Sequence, residues 1–172
     1  MKYIAFTVLA LVLLAAIGGI VLRANMPSAR LTVHAVRPMG TNAYLSQDFE
    51  THPWPVWEVA ITNSGRARAT WRMSIMAKDT ESGPAGSVNL GSMRPYGTLP
   101  SGQWTNVYAP MPSDSVTAWQ PGVEYKTPMS PLERTLSSWL APVPKLRVLL
   151  PNYGEHSVYG TWHSGTNLLT AH

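Results

Sequence analysis

The feature that most constrains this chain is an apolar run from Tyr3 to Leu22, YIAFTVLALVLLAAIGGIVL, which contains no charged residue. At about 1.5 Å per residue, such a run in helical form extends roughly 30 Å, the thickness of the hydrocarbon core of a bilayer. Hydrocarbon offers no hydrogen-bond partners, so the segment must satisfy its backbone internally as a helix. The sequence therefore predicts a transmembrane anchor over residues 1–24 and a short polar linker over residues 25–30.

A cleaved secretory signal is the alternative interpretation of this run. Lys2 supplies a basic start, and Ala16-Ile17-Gly18 has the small-x-small pattern of a cleavage site. The apolar residues continue through Leu22, however, beyond the roughly 7–15 residues of an ordinary signal core. The length of the run therefore favours an uncleaved anchor.

The basic residues around the run do not fix its orientation. Lys2 precedes it, and Arg23, Arg30 and Arg37 follow it, so the positive-inside bias is balanced. A very short head before the apolar run is typical of a signal anchor. We therefore expect a single-pass membrane protein with its C-terminal domain outside the cytoplasm.

The composition of the remaining chain excludes several classes of function. There is no cysteine, which excludes thiol chemistry and thiolate-bound metals. The net charge of +4 includes Lys2 and Arg23; from residue 25 onward there are 11 basic and 9 acidic residues, a difference of only +2. This balance argues against nucleic-acid binding.

The clearest strand pattern is an alternation of apolar and polar residues with period two. Trp57, Val59 and Ile61 share one face of the segment 56–63, and the segment 69–78 repeats the pattern. The short polar connection at residues 63–65 predicts that the two segments form an antiparallel hairpin. Further strands are predicted at 31–36, 88–90, 103–108, 122–127, 145–150 and 157–162.

One helix is predicted near residues 131–140. Ser130, Pro131 and Glu133 form a capping box with proline at the first helical position. An apolar stripe at helical spacing follows, formed by Leu132, Leu136, Trp139 and Leu140. Together with the strands, this helix predicts a mainly β fold over residues 31–172: an immunoglobulin-like antiparallel β-sandwich with one late α-helix. A β-barrel is the alternative.

The layout resembles that of uncharacterised bacterial proteins with a single-pass N-terminal anchor and one immunoglobulin-like or fibronectin-type sandwich. Three segments carry the resemblance: VWEVAITNSG at 56–65, LPSGQWTNVYAP at 99–110 and GVEYKTPMSPLERTLSSWL at 122–140. The resemblance implies a strand–turn–strand pair, a late helix and a closing strand, but no activity. The Cys-Trp-Cys pattern of antibody domains is absent, so only the architecture is implied.

Candidate catalytic and metal-binding residues are few. Asp48, Glu50 and His52 alternate and would share one face of a strand, as a metal site requires, but a solvated loop edge is the favoured interpretation. His156 and His163 are interpreted as surface or packed residues. Since the common nucleophile, phosphate and zinc motifs are also absent, we assign no catalytic residue, cofactor or metal, and we predict a non-enzymatic protein.

The seven tryptophans provide candidate binding residues. Trp57, Trp71 and Trp139 follow core periodicity and are predicted to be buried. Trp54 and Trp119 lie in proline-rich stretches predicted to be loops, where an indole can stack on a sugar ring. Packing over the end of the sandwich is the favoured alternative for both. Within 103–108, Trp104 and Tyr108 fit either the core or an edge.

A cationic patch of Arg66, Arg68 and Arg72 is predicted at the start of the second alternating segment, where it would meet lipid head groups or an anionic polymer. A solvated turn is the favoured alternative. The main functional hypothesis is a membrane-anchored module for protein–protein contact or envelope structure. A carbohydrate- or cell-wall-binding module is the second, and a metal-dependent hydrolase using residues 48–52 is the third.

Overall fold

The computed structural model describes residues 2–41, 55–79, 83–87, 94–110 and 116–164. The chain forms two compact units, each assembled from separate parts of the sequence. The first unit comprises Met1–Ser28 and Met129–Tyr153, and the second comprises Ala29–Pro128 and Gly154–His172. In the described residues, all helices belong to the first unit and all strands to the second.

The first unit contains three helices: α1 (Lys2–Asn25), α2 (Pro131–Trp139) and α3 (Pro144–Arg147). The apolar run is therefore helical, as predicted. Within the described part of the chain, no helix meets the combined length and apolarity required of a membrane span. The segment 145–150, predicted to be a buried strand, instead contains most of α3. Pro144 starts that helical turn, since proline is well suited to a first helical position.

The described residues of the second unit form nine strands in two antiparallel sheets. They are β1 (Leu31–Thr41), β2 (Pro55–Asn63), β3 (Ala69–Lys78), β4 (Gly86–Ser87), β5 (Tyr96–Leu99), β6 (Trp104–Pro110), β7 (Ala118–Lys126), β8 (His156–Tyr159) and β9 (His163–Ser164). The first sheet has the order β1-β2-β6. The second has β4-β3-β7-β8, with β5 also paired to β3 and β9 to β7.

The buried apolar side chains of both sheets form one hydrophobic cluster. Val59 and Ile61 of β2 and Met73 and Ile75 of β3 are fully buried at its centre, together with Val123 of β7. Because successive residues of a strand point to opposite faces, the alternating pattern places these side chains on the inner faces. The predicted mainly β, antiparallel fold is confirmed.

The predicted hairpin between residues 56–63 and 69–78 is wrong. Both strands form, but β2 pairs with β1 and β6, whereas β3 pairs with β4, β5 and β7. The connection at 64–68 therefore carries the chain from one sheet to the other. Its geometry is set by Asn63, a fully buried side chain at the end of β2.

The amide of Asn63 joins three separate parts of the second unit. Its Oδ1 accepts hydrogen bonds from the backbone N–H of Arg30 (3.2 Å) and Gly65 (3.0 Å). Its Nδ2 lies within hydrogen-bond distance of the carbonyl oxygens of Ala67 (2.8 Å) and Leu99 (3.1 Å). The side chain thus holds the start of β1, the β2–β3 connection and the end of β5 together.

The predicted capping box of α2 is present in full. Ser130 Oγ accepts the backbone N–H of Glu133, and Glu133 Oε2 accepts the backbone N–H of Ser130 at 2.8 Å. Glu133 is fully buried and also accepts hydrogen bonds from the backbone N–H of Asn152 (3.2 Å) and from its Nδ2 (2.9 Å). Asn152 Nδ2 also donates to the carbonyl of Pro27 (2.9 Å). We call these four residues the Glu133 clasp: Pro27, Ser130, Glu133 and Asn152.

Replacing Asn63 by alanine is expected to destabilise the second unit by about 3 kcal/mol, because several buried backbone groups lose their partner at once. The measurement is the free energy of unfolding in urea. Ser64→Ala is the matched control, since this exposed hydroxyl makes one long contact to the carbonyl of Arg30 at 3.3 Å. Its cost is expected to stay below about 0.5 kcal/mol. Equal losses for the two variants would contradict the role of Asn63.

Candidate ligand-binding face

The most exposed aromatic residues of the first sheet stand on β6. Trp104 is 68% exposed and Tyr108 is 52% exposed. Asn106 lies between them on the same face, while Ala109 is fully buried on the inner side. At about 3.4 Å per residue, the Cα atoms of Trp104 and Tyr108 are roughly 14 Å apart. The strand therefore presents two rings on one face, with Asn106 between them.

Strand register brings polar side chains of β2 and β1 onto the same outer face. Tyr108 is paired with Glu58, which is paired in turn with Arg37. Asn106 is paired with Ala60, and Ala60 with His34. We call this surface the aromatic face, defined by His34, Arg37, Glu58, Trp104, Asn106 and Tyr108.

Glu58 organises the polar part of the aromatic face. Arg37 Nε donates to its Oε2 at 2.8 Å, and Asn106 Nδ2 donates to its Oε1 at 2.6 Å. Glu58 is itself buried, whereas Arg37 and Asn106 are exposed. The buried carboxylate thus holds a guanidinium and an amide in place beside the two rings. The face offers apolar contact area and fixed hydrogen-bonding groups, but no group positioned for catalysis.

The two edges of the first sheet differ. β1 has register shifts between Ala35 and Arg37 and between Pro38 and Gly40. Bulges, charge and proline are common means of blocking an edge against further pairing. β6 pairs with β2 without a shift and has no charged residue. In the described residues, no strand pairs with its outer edge.

The prediction that Trp119 lies in a loop is wrong, whereas the favoured interpretation that its side chain is packed agrees with its burial. Trp119 is fully buried in β7, where it is paired with Ala77. Its ring packs edge-on against Trp57, with centroids 5.1 Å apart, and stacks on His163 at 4.8 Å. An indole enclosed in this way cannot stack on a ligand. Trp54, the other predicted ligand residue, lies outside the described residues.

The tryptophans predicted to be interior divide between the two units. Trp57 and Trp71 are buried in the second unit, as predicted. Trp139 of α2 is 75% exposed, so the prediction that it is buried is wrong. The buried side of α2 carries Glu133 and Ser137 instead, because the hydrogen bonds of the Glu133 clasp hold Glu133 in the interior of the first unit.

The three arginines of the predicted cationic patch have different surroundings. Arg66 and Arg68 are exposed in the β2–β3 connection. Arg72 forms ion pairs with Glu124 (2.6 Å) and Glu155 (3.2 Å) across the outer face of the second sheet. Its charge is therefore balanced by two carboxylates, which leaves it poorly suited to bind an anion.

A shallow groove of about 210 Å³ lies beside this ion-pair network. Arg72, Glu124 and the 83%-exposed ring of Tyr96 line part of it. Arg94 adds a further contact to Glu124 at 3.1 Å. Arg72 and Arg94 are balanced by Glu124 and Glu155, whereas Lys126, which also lines the groove, belongs to none of these ion pairs.

Asp48, Glu50 and His52, the predicted metal candidates, lie outside the described residues. In the part of the chain that is described, no group of three or more metal-ligating side chains is present. His156 packs against Tyr125 in the second sheet, with ring centroids 5.4 Å apart. Burial raises the pKa of the Tyr125 hydroxyl above its usual value of 10.0.

The sequence analysis did not single out the exposed aromatic residues of β6 as ligand candidates, although the sequence held a signal for their exposure. In QWTNVY, Trp104, Asn106 and Tyr108 fall on one side of a strand and Thr105 and Val107 on the other. A polar residue between two aromatic residues is unusual for an inner face. From the sequence, either side of this segment could be the inner face. The position of β6 in the sheet determines which side faces inward.

Stability is expected to fall as the pH drops below about 6.5, because burial lowers the pKa of His163 from its usual 6.5. The unfolded chain then binds a proton at His163 more readily than the folded chain does. His163→Phe should keep the ring contact with Trp119 and flatten this decline. The measurement is the thermal midpoint between about pH 7.5 and pH 5.

His34→Gln, a change at an exposed histidine of the aromatic face, is the control and should leave the decline in place. An unchanged pH dependence in His163→Phe would contradict the assignment to His163.

Comparison of the chain with protein-family models, with curated proteins and with solved structures gave no match.

Proposed function

We propose that this protein is a membrane-attached, non-enzymatic binding module that recognises a protein partner in the cell envelope through its aromatic face. The observation that carries the proposal is the exposure of Trp104 and Tyr108 on an edge strand. Aromatic side chains bury large areas and contribute much of the energy of protein cores and interfaces. Their position on the outer face makes them available to a partner.

The composition of the aromatic face is that of a protein-recognition surface. Tryptophan, tyrosine and arginine are the residues most enriched at energetically important interface positions. Trp104, Tyr108 and Arg37 supply one of each, and Glu58 holds Arg37 in place. Preorganised side chains lose less entropy on binding, which favours affinity.

The edge of β6 with which no described strand pairs adds a second mode of contact. An extended partner segment can pair with an exposed sheet edge through backbone hydrogen bonds, with side-chain contacts supplying specificity. The aromatic residues of β6 stand beside that edge. A protein partner can use both the edge and the face, which is why we favour it over other ligands.

The proposed architecture is an immunoglobulin-like sandwich. The strand orders β1-β2-β6 and β3-β7-β8 match the A-B-E and C-F-G arrangements of such folds when the strands are lettered along the chain. The shared cluster of buried side chains supports this assignment. In this scheme the segment containing α2 and α3 is an insertion between the last two principal strands.

Membrane attachment is proposed to occur through α1, with Tyr3–Leu22 in the bilayer as a single pass and the second unit outside the cytoplasm. The proposal rests on the uncharged apolar run of the sequence, since no helix among the described residues meets the combined length and apolarity of a membrane span. Among the side chains of α1 that the structure describes, eight large apolar ones are exposed. They are Phe6, Val8, Leu9, Leu13, Leu14, Ile17, Ile20 and Val21. A helix that is apolar on all sides is suited to lipid rather than water.

A carbohydrate of the cell wall is the second candidate ligand. Trp104 and Tyr108 stand on one sheet face with the amide of Asn106 between them, an arrangement that allows ring stacking and hydrogen bonding to a sugar chain. A glycan would use the aromatic face but not the edge of β6.

Photo-cross-linking from the aromatic face tests the proposed function. With a photoreactive phenylalanine analogue in place of Tyr108, we expect one dominant protein adduct in intact cells. The added change Trp104→Ala should reduce its yield at least about tenfold, since a central aromatic contributes roughly 2 kcal/mol at an interface. The measurement is adduct yield, with the partner identified by mass spectrometry.

The analogue at Tyr96, an exposed position on the second sheet, is the matched control and should give no such adduct. Loss of the adduct on addition of cell-wall glycans would favour the carbohydrate candidate. Equal adducts from positions 96 and 108 would overturn the proposal.

Membrane attachment has its own test. The full chain is expected to stay with the membrane fraction during alkaline extraction. Leu13→Arg together with Leu14→Arg should release it, because each arginine costs about 2.5–3.5 kcal/mol near the centre of a membrane helix. The measurement is the fraction of protein in the pellet. A wild-type chain released by alkali would contradict insertion of α1.

A further inference from the structure

The segment from α2 to α3 exposes an unusual amount of apolar surface. Its exposed large side chains are Leu132, Trp139, Val143, Leu146, Val148 and Leu149. A helix on a protein in water normally turns such residues inward and its charged residues outward. In α2, by contrast, the buried residues are Glu133 and Ser137, while Leu132 and Trp139 are exposed. Exposed apolar surface of this extent marks a contact site.

The Glu133 clasp fixes this segment close to the end of α1. Asn152 Nδ2 donates to the carbonyl of Pro27, two residues after α1 ends at Asn25. Two extended residues span at most about 7 Å. Asn152 also donates to Glu133, which caps the start of α2. Both ends of the apolar segment are thereby held near the point where α1 ends.

The charges of the segment match a lipid surface. Arg134 and Lys145 are exposed, and the acidic residue of the segment, Glu133, is buried in the clasp. Basic residues near a bilayer are attracted to anionic lipid head groups. Tryptophan is the residue most typical of the membrane–water interface, and Trp139 is 75% exposed.

We infer that residues 129–153 lie in the interfacial layer of the bilayer that α1 enters, with the apolar side chains of α2 and α3 in contact with lipid. This inference rests on the proposed insertion of α1. The first unit has two exposed apolar surfaces, one on α1 and one on the segment from α2 to α3. The Glu133 clasp holds the second close to one end of α1, so a single bilayer can cover both. The segment would act as a second contact that holds the first unit against the membrane.

The absence of cysteine permits a direct test with single-cysteine variants of the full chain. An environment-sensitive fluorophore is attached at Val148→Cys, a position that is 66% exposed, or at Trp139→Cys. Leu14→Cys reports on α1, and Tyr96→Cys is the control in the second unit. The proteins are reconstituted in vesicles of neutral and anionic phospholipid whose acyl chains carry bromine at a shallow or a deep position.

Shallow bromine is expected to quench the fluorophore at positions 139 and 148 at least about threefold more than at 96, because interfacial segments sit about 5–10 Å into the head-group and acyl boundary. Deep bromine should quench position 14 most. One outcome would overturn the inference but not the insertion of α1: bromine quenches the fluorophore at position 14, while quenching at positions 139 and 148 is as weak as at position 96. If position 14 is also unquenched, the proposed insertion of α1 fails with it.

Discussion

The structure depends on one constraint, the burial of one apolar cluster to which both antiparallel sheets contribute side chains. Ile61 of β2 and Ile75 of β3 contribute to the same cluster although their strands do not pair. Since side chains alternate along a strand, this burial also fixes which residues face outward. The exposure of Trp104 and Tyr108 is thus a consequence of the burial of Ala109 on the same strand.

Local features of the fold could be predicted from the sequence because their causes are local. Alternation located β2 and β3 to within a residue or so, and the capping box located α2. The partner of each strand could not be predicted in this way. Asn63 directs the chain to the other sheet through hydrogen bonds to residues as distant as Leu99, and no local pattern reveals such a contact.

The candidate site was harder to predict for the same reason. Proline near Trp119 indicated a loop, yet Pro121 lies within β7 and is itself fully buried. The apolar stripe of α2 indicated a buried face, but the hydrogen bonds of Glu133 place the opposite side inward. A hydrophobic side chain is stabilised when it is removed from water. Its hydrophobicity does not show whether the protein itself, another protein or lipid covers it.

The surroundings of each exposed apolar surface are the basis for the partner that we propose for it. Beside Trp104 and Tyr108, Glu58 holds an amide and a guanidinium in fixed positions. Such groups lose hydrogen bonds to water on binding, so they suit a partner that replaces those bonds, as another protein does. Around α3 the exposed residues are mainly aliphatic, with a flexible lysine among them. Lipid chains offer no directional bonds, and an aliphatic surface bordered by cations is the kind that a bilayer interface can accept without loss.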